Sequence, residues 1–102
     1  MTSSPLDGLD PKLTAPKRLA AMALLTHAYT ADFAVLRDHL GVSDSDLSKQ
    51  MSALISARYV TFKKSGSGRG STTTYQATRE GRKAYARHRA ALEAILGGTT
   101  GG

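Results

Sequence analysis

Cysteine is absent from the chain, which removes disulfides, thiolate metal sites and thiol redox sensing together and is compatible with a reducing cytosol. No apolar run approaches the roughly 18 residues that a membrane span requires. The opening MTSSPLDGLDPKLTAP lacks a basic stretch followed by an apolar one, so no secretory signal is expected and a cytoplasmic location is the simplest expectation. Catalytic signatures are missing too. No nucleophile-base-acid spacing, phosphate loop or paired catalytic carboxylate is present, and the glycines of SGSGRGS sit between expected strands instead of opening a helix. His27, His39 and His88 fall on three separate elements with no paired spacing, so neither a metal nor any other cofactor is expected. With 102 residues, 40% of them hydrophobic, the chain can build one compact core with little room for a deep cleft. A binding protein is expected, not an enzyme.

Acidic residues are also scarce, at eight Asp/Glu against fourteen Lys/Arg, for a net charge of +6. Position matters more than the total. Residues 1–42 are balanced, residues 43–57 carry a net −1 from Asp44, Asp46 and Lys49, and the last 45 residues set nine Lys/Arg against Glu80 and Glu93. The excess positive charge therefore lies entirely in the second half, where it suits a polyanionic partner or serves solubility alone.

Residues 1–12 are rich in Ser, Pro, Gly and Asp and are expected to form a flexible arm, whose Leu6 and Leu9, with Leu13, either pack on a partner or are incidental. From Pro16, PKRLAAMALLTHAY reads as a helix with proline in its first turn and Leu19, Met22, Ala23 and Leu25 on one face. ADFAVLRDHLG reads as a short amphipathic helix, with Thr30 as candidate N-cap, Phe33, Leu36 and Leu40 inward, and Gly41 as its stop. Ser43 then caps a third helix over residues 44–57, with Asp46 three residues on as in a weaker capping box. Leu47, Met51, Leu54 and Ile55 fall in one arc, while Ser45, Lys49, Ser52, Ala53 and Ser56 face out as a small, polar surface. The period then shortens: 59–64 and 72–77 are β-branched and aromatic, as expected of a hairpin, with Arg69 among glycines at its tip. Thr78 caps a final helix in which Gly81, Tyr85, His88, Leu92 and Ile95 alternate four and three apart, a seam for a partner helix or for the chain's own core. His88 in that seam is either a pH-responsive group at a dimer contact or a neutral, satisfied packing histidine. GGTTGG reads as a disordered tail over residues 97–102.

The expected fold is α+β and mainly helical: a winged helix-turn-helix over residues 13–96, with a two-stranded β-hairpin wing and a long C-terminal helix. Helix, Gly-Val turn, helix and glycine-tipped basic hairpin occur in that order. In LRDHLGVSDSDLSKQMSALISARYV, the GSGRGS wing and TYQATREGRKAY, the chain resembles the short, single-domain winged-helix regulators of the MarR-like superfamily across roughly residues 12–96. Two departures are visible. Arg58 stands where a glycine commonly ends the recognition helix, and Gly70-Ser71 replace what is often a rigid or basic wing element.

That resemblance implies a bacterial-type transcriptional regulator acting on double-stranded DNA as a homodimer. The second helix of such a motif enters the roughly 12 Å wide major groove. Ser45, Ser48, Lys49 and Ser52 match family positions used on bases and nearby phosphates, and Arg69 matches the wing residue that enters the adjacent minor groove. Lys63 and Lys64 on the strand, with Ser43 and Ser71, complete the expected DNA contacts. For Ser52 and Ser56 a solvated helix face is the alternative. Asp44 and Asp46 would repel phosphates if turned to the backbone, and act either as helix-terminal charges or as acceptors for cytosine. Arg79, Arg82, Lys83, Arg87 and Arg89 either add to the attraction for DNA or stay solvated. In family members the arm and last helix form the dimer, which here implies Leu9, Leu13, Leu19, Tyr85, His88, Leu92 and Ile95, and a palindromic operator. Some relatives imply a small-molecule effector pocket, but no convergent polar group in this chain names such a ligand. The competing function is a winged-helix protein-protein interaction module without sequence-specific DNA binding, which the net −1 of residues 43–57 favours.

Overall fold

In the computed structural model, residues 4–66 and 70–97 are described. A 3-10 turn at Pro5–Gly8 precedes α1 (Pro16–Ala28), β1 (Thr30–Asp32), α2 (Phe33–Leu40), α3 (Asp44–Ser56), β2 (Val60–Ser65), β3 (Thr72–Ala77) and α4 (Arg79–Gly97). Among the described residues no helix is long and apolar enough to cross a membrane.

Both helices of the helix-turn-helix begin, and the first of them ends, for an identifiable reason. Asp32 caps α2 by accepting the Val35 N–H at 2.8 Å. Gly41 ends α2 in the left-handed region (φ 67°), its N–H donating to the Arg37 carbonyl at 2.8 Å. Two residues later Ser43 caps α3 by accepting the Asp46 N–H at 3.1 Å. The inward arc of α3, Leu47, Met51 and Leu54, is fully buried with Met22 and Leu25 of α1, Leu36 of α2 and Val60 of β2. Burying each such side chain is worth about 1.5–3 kcal/mol, so the set fixes the tilt of α3 against the other helices.

The sheet holds one strand more than the expected hairpin. Its order is β1-β3-β2, both pairings antiparallel, with Ala31 opposite Tyr75 and Phe62 opposite Tyr75 on the other side. Thr30, expected to cap α2, is instead the first residue of β1, paired with Gln76. Asp32 takes the cap because the strand consumes the backbone at Thr30 and places the carboxylate one turn ahead of Val35. A sharp reversal at Tyr29 (φ 67°, ψ −54°) swings the chain from α1 into β1. Through β1, the wing is thus tied to the start of the helix-turn-helix.

Residues 4–12, expected to form a flexible arm, instead pack on α4. Asp10 is the hub. Its N–H donates to His88 Nδ1 at 2.9 Å, one carboxylate oxygen accepts the Lys12 N–H at 2.9 Å, and the other accepts the Tyr59 hydroxyl. Thr14 Oγ1 donates to its carbonyl at 2.8 Å. Burial, and then the bond to Asp10, push the Tyr59 phenol up to about 12. Leu13, next to this hub, is completely buried. At the other end of the seam, Thr78 caps α4 by accepting the Gly81 N–H at 2.8 Å and donates its hydroxyl to the Arg58 carbonyl at 2.8 Å. Gly81 is required there: a Cβ would stand 2.2 Å from the Tyr59 carbonyl oxygen.

Candidate nucleic-acid interface

The outer face of α3 is set by which arc the core consumes. Ser45, Ser48, Lys49, Ser52 and Ser56 are exposed, and Ile55 is half-buried at the margin. Ser43 is exposed as well, but its hydroxyl is committed to the cap, 3.4 Å from that of Ser45. Beside this face runs β2, all of it exposed after Val60. Alternation along the strand puts Phe62 and Lys64 on the side facing α3 and Lys63 on the opposite side. A cleft of about 330 Å³ between α3 and the sheet is lined by Ser48, Ser52, Ile55, Phe62, Lys64 and Thr73, among others. The Phe62 and Tyr75 rings lie 6.5 Å apart in a tilted pair that stiffens its floor. The structure therefore brings Ser48, Ser52 and Lys64 to one cleft and leaves Lys63 on the far face. Ser71 is exposed just ahead of β3, whereas Arg69, expected to enter the minor groove, lies outside the described residues.

The acidic residues near α3 are all engaged. Asp44 pairs with Arg37 at 3.0 Å, and the same guanidinium meets Asp38 at 3.1 Å. Asp46, placed where a capping box would turn it back on Ser43, pairs with Lys17 of α1 and accepts from Gln50 at 3.0 Å. Arg18 in turn donates to Gln50 at 3.0 Å. The Gln50 bond, then Lys17, hold the Asp46 carboxyl below its ordinary range, and Asp44, then Asp38, raise Arg37. The side chains of Lys49, Lys63 and Lys64 make no hydrogen bond or ion pair among the described residues. Asp46 is thus offset by Lys17 of α1, and Asp44 shares the one arginine of α2 with Asp38, neither of which local sequence could reveal.

The residues expected at a dimer contact separate into two groups. Leu13 and His88 are buried within the chain, at 0% and 1% exposure, and have no surface to offer a partner. His88 is satisfied by the Asp10 N–H, as a packing histidine would be. Leu19, Tyr85 and Leu92 are half-buried and line a shared groove between α1 and α4, while Ile95 is exposed beyond it and Leu9 is half-buried within the arm. Among the described residues no three metal-ligating side chains come together.

A family model described as the winged helix DNA-binding domain matches residues 17–96. Comparison with curated proteins finds no match. Among solved structures, a transcriptional regulator homologue from Pyrococcus horikoshii superposes with a TM-score of 0.80 at 24% identity, covering 86% of this chain and 87% of that one. The Mycobacterium tuberculosis transcriptional regulator MOSR, solved in complex with DNA, gives a TM-score of 0.71 at 15% identity over 92% of this chain and 67% of its own. BpsR from Bordetella bronchiseptica, whose DNA binding is regulated by 6-hydroxynicotinic acid, gives 0.72 at 11% identity over 94% and 72%.

Proposed function

The chain belongs to the winged helix DNA-binding domain family, a DNA-binding family and not one of enzymes, and from that premise we propose that it regulates transcription in the cytoplasm by binding a palindromic operator as a homodimer. In this reading α3 lies in the major groove, with Ser45, Ser48, Lys49 and Ser52 toward bases and adjacent phosphates. Lys63 and Lys64 hold the backbone from either face of the wing, with Ser43 and Ser71 at its flanks. Arg69, through the family resemblance, enters the minor groove, where narrow A·T tracts attract arginine. Leu19, Tyr85, Leu92 and Ile95 form the contact between copies. A small-molecule effector is a further expectation, supported by the control of BpsR by 6-hydroxynicotinic acid.

The observation that carries the proposal is electrostatic. Every carboxylate around α3 has a cation or an amide donor, while the side chains of Lys49, Lys63 and Lys64 make no hydrogen bond or ion pair among the described residues. A phosphate backbone supplies what those side chains lack.

The deciding experiment selects duplexes from a random pool at near-physiological salt, where non-specific attraction is reduced and base reading must show itself. Enrichment of an inverted repeat with half-sites about 34–36 Å apart is the expected outcome. Lys49→Ala should then lower affinity with a salt slope shallower by about 0.9, the contribution of one phosphate. If nothing is enriched and binding vanishes with salt, the fold serves as a protein-interaction module instead.

A further inference from the structure

We propose that the DNA-contacting surface does not end at the wing but continues around the base of the sheet to a cationic cluster, Arg58, Arg79 and Lys83, that holds phosphates flanking the site read by α3. The inference rests on the DNA-binding reading above and extends its footprint.

Three observations converge. The first is continuity. The cleft between α3 and the wing shares Ile55 and Phe62 with a second depression, and that depression shares Arg58 and Thr78 with a third, whose remaining walls are Arg79, Glu80 and Lys83. A series of adjoining depressions, each sharing wall residues with the next, therefore forms a track from Lys64 to Lys83. It is polar at the wing, apolar at Ile55 and Phe62, and positive at the start of α4.

The second is the backbone at Arg58. It sits at φ 67°, a conformation that costs a residue with a Cβ about 1–2 kcal/mol and that glycine adopts freely. The fold uses only its backbone: the N–H donates to the Ile55 carbonyl at 2.9 Å and the carbonyl accepts from Thr78. The guanidinium is exposed and contributes nothing to the core. Because Thr78 ties the Arg58 carbonyl to the first turn of α4, Arg58 and Arg79 are held at a fixed spacing, not on a loose loop.

The third is the lack of counter-charge. Arg79 and Lys83 stand four apart on one helical face, where like charges repel. None of Arg58, Arg79 and Lys83 has a hydrogen bond or ion pair from its side chain among the described residues, and Glu80 is the single acid lining their depression. Arg89, further along α4, contrasts with them in having Glu93 at 3.6 Å. A strained arginine beside an uncompensated Arg/Lys pair, at the end of a track that begins on the DNA face, suits the sugar-phosphate backbone of the same duplex.

The test measures the affinity of the full chain for a selected duplex, extended by random sequence on both sides, from about 50 to 200 mM salt. Arg58→Gly removes the cation and relieves the strained φ, so its melting temperature should match or exceed that of the parent. Combined with Arg79→Gln and Lys83→Gln, it should make the salt slope shallower by about 2–3, at about 0.9 per phosphate, while the selected bases stay the same. Trimming the flanks should erase most of the difference between parent and triple variant. Parental slope and affinity in the triple variant, with Lys49→Ala still weakened, would overturn the extended footprint and leave the DNA-binding reading intact. Failure of the parent itself to bind any duplex would overturn both.

Discussion

Replacing Gly81 by alanine sets helix propensity against tertiary packing with opposite signs. An interior helical Gly→Ala change normally stabilises by about 1 kcal/mol. Here the added methyl would lie 2.2 Å from the Tyr59 carbonyl oxygen and 2.9 Å from its carbonyl carbon, where real contacts do not fall below 3.0 Å. Both obstacles are backbone, so no side-chain rotation relieves them. α4 must retreat from the β2 entry, stretching the bond from the Thr78 N–H to that carbonyl, now 2.9 Å, and the Thr78 hydroxyl bond to Arg58 beside it. Overpacking costs about 1–3 kcal/mol and a weakened buried hydrogen bond about 1 more. After the propensity gain, a net loss of about 1–3 kcal/mol remains. With a urea m-value near the low end of about 1–3 kcal/mol/M for a domain this small, the midpoint should fall by about 1–3 M. A Gly81→Ala variant as stable as the parent, or more so, would refute the close approach of α4 to Tyr59 on which the seat of the wing depends.

Two further outcomes test the ends of the domain. The folded state raises the Tyr59 phenol from 10.0 to about 12, so it favours the protonated form. The associated stability is complete below pH 10 and is lost as the pH climbs from 10 through 12, by up to about 2–3 kcal/mol; unfolding curves taken across that window should show the fall, and Tyr59→Phe should flatten it while costing about 1–3 kcal/mol at neutral pH. Ser43→Ala should cost about 1 kcal/mol through the lost cap of α3, read by urea unfolding, whereas Thr30→Ala should cost less because Asp32 holds the cap of α2.

What the sequence reveals, and what it hides, divides by distance along the chain. The helices of the reading motif are legible because their signals are local: Ser43, Gly41 and Thr78 stand where caps and stops must stand, and the arc of Leu47, Met51 and Leu54 repeats at helical spacing. β1 is not legible. Three residues, Thr-Ala-Asp, are too few to show a two-residue alternation, and they become a strand only because β3 presents a free edge 44 residues later. The arm is hidden for the same reason. Its sparse leucines read as loose chain, while its order comes from Asp10 meeting Tyr59 at a separation of 49 residues and His88 at 78. The heptad-like seam is real as a packing seam, yet its central histidine faces the chain's own arm.

Charge near α3 follows the same rule and carries a functional consequence. Counted along residues 43–57, α3 is negative; counted in space, Lys17 offsets Asp46, and Arg37 is shared between Asp44 and Asp38, so that Arg37 decides how much negative charge an approaching duplex meets beside Lys49 and the wing lysines. If this compensation matters, Arg37→Ala should weaken DNA binding by uncovering Asp44 and Asp38, without Arg37 having to contact DNA. One uncompensated charge about 10 Å from a phosphate in water costs about 0.4 kcal/mol unscreened and about 0.15 kcal/mol at 0.1 M salt, where the Debye length is about 10 Å, so two or three phosphates bring the loss to about 0.3–0.5 kcal/mol, or about twofold. Adding Asp44→Asn to Arg37→Ala should recover much of that loss, because it removes a charge of opposite sign from the same place. A double variant no better than Arg37→Ala alone would mean that Arg37 acts by touching the duplex itself, and the field at α3 would then have to be redrawn with its guanidinium as a contact instead of a counter-ion.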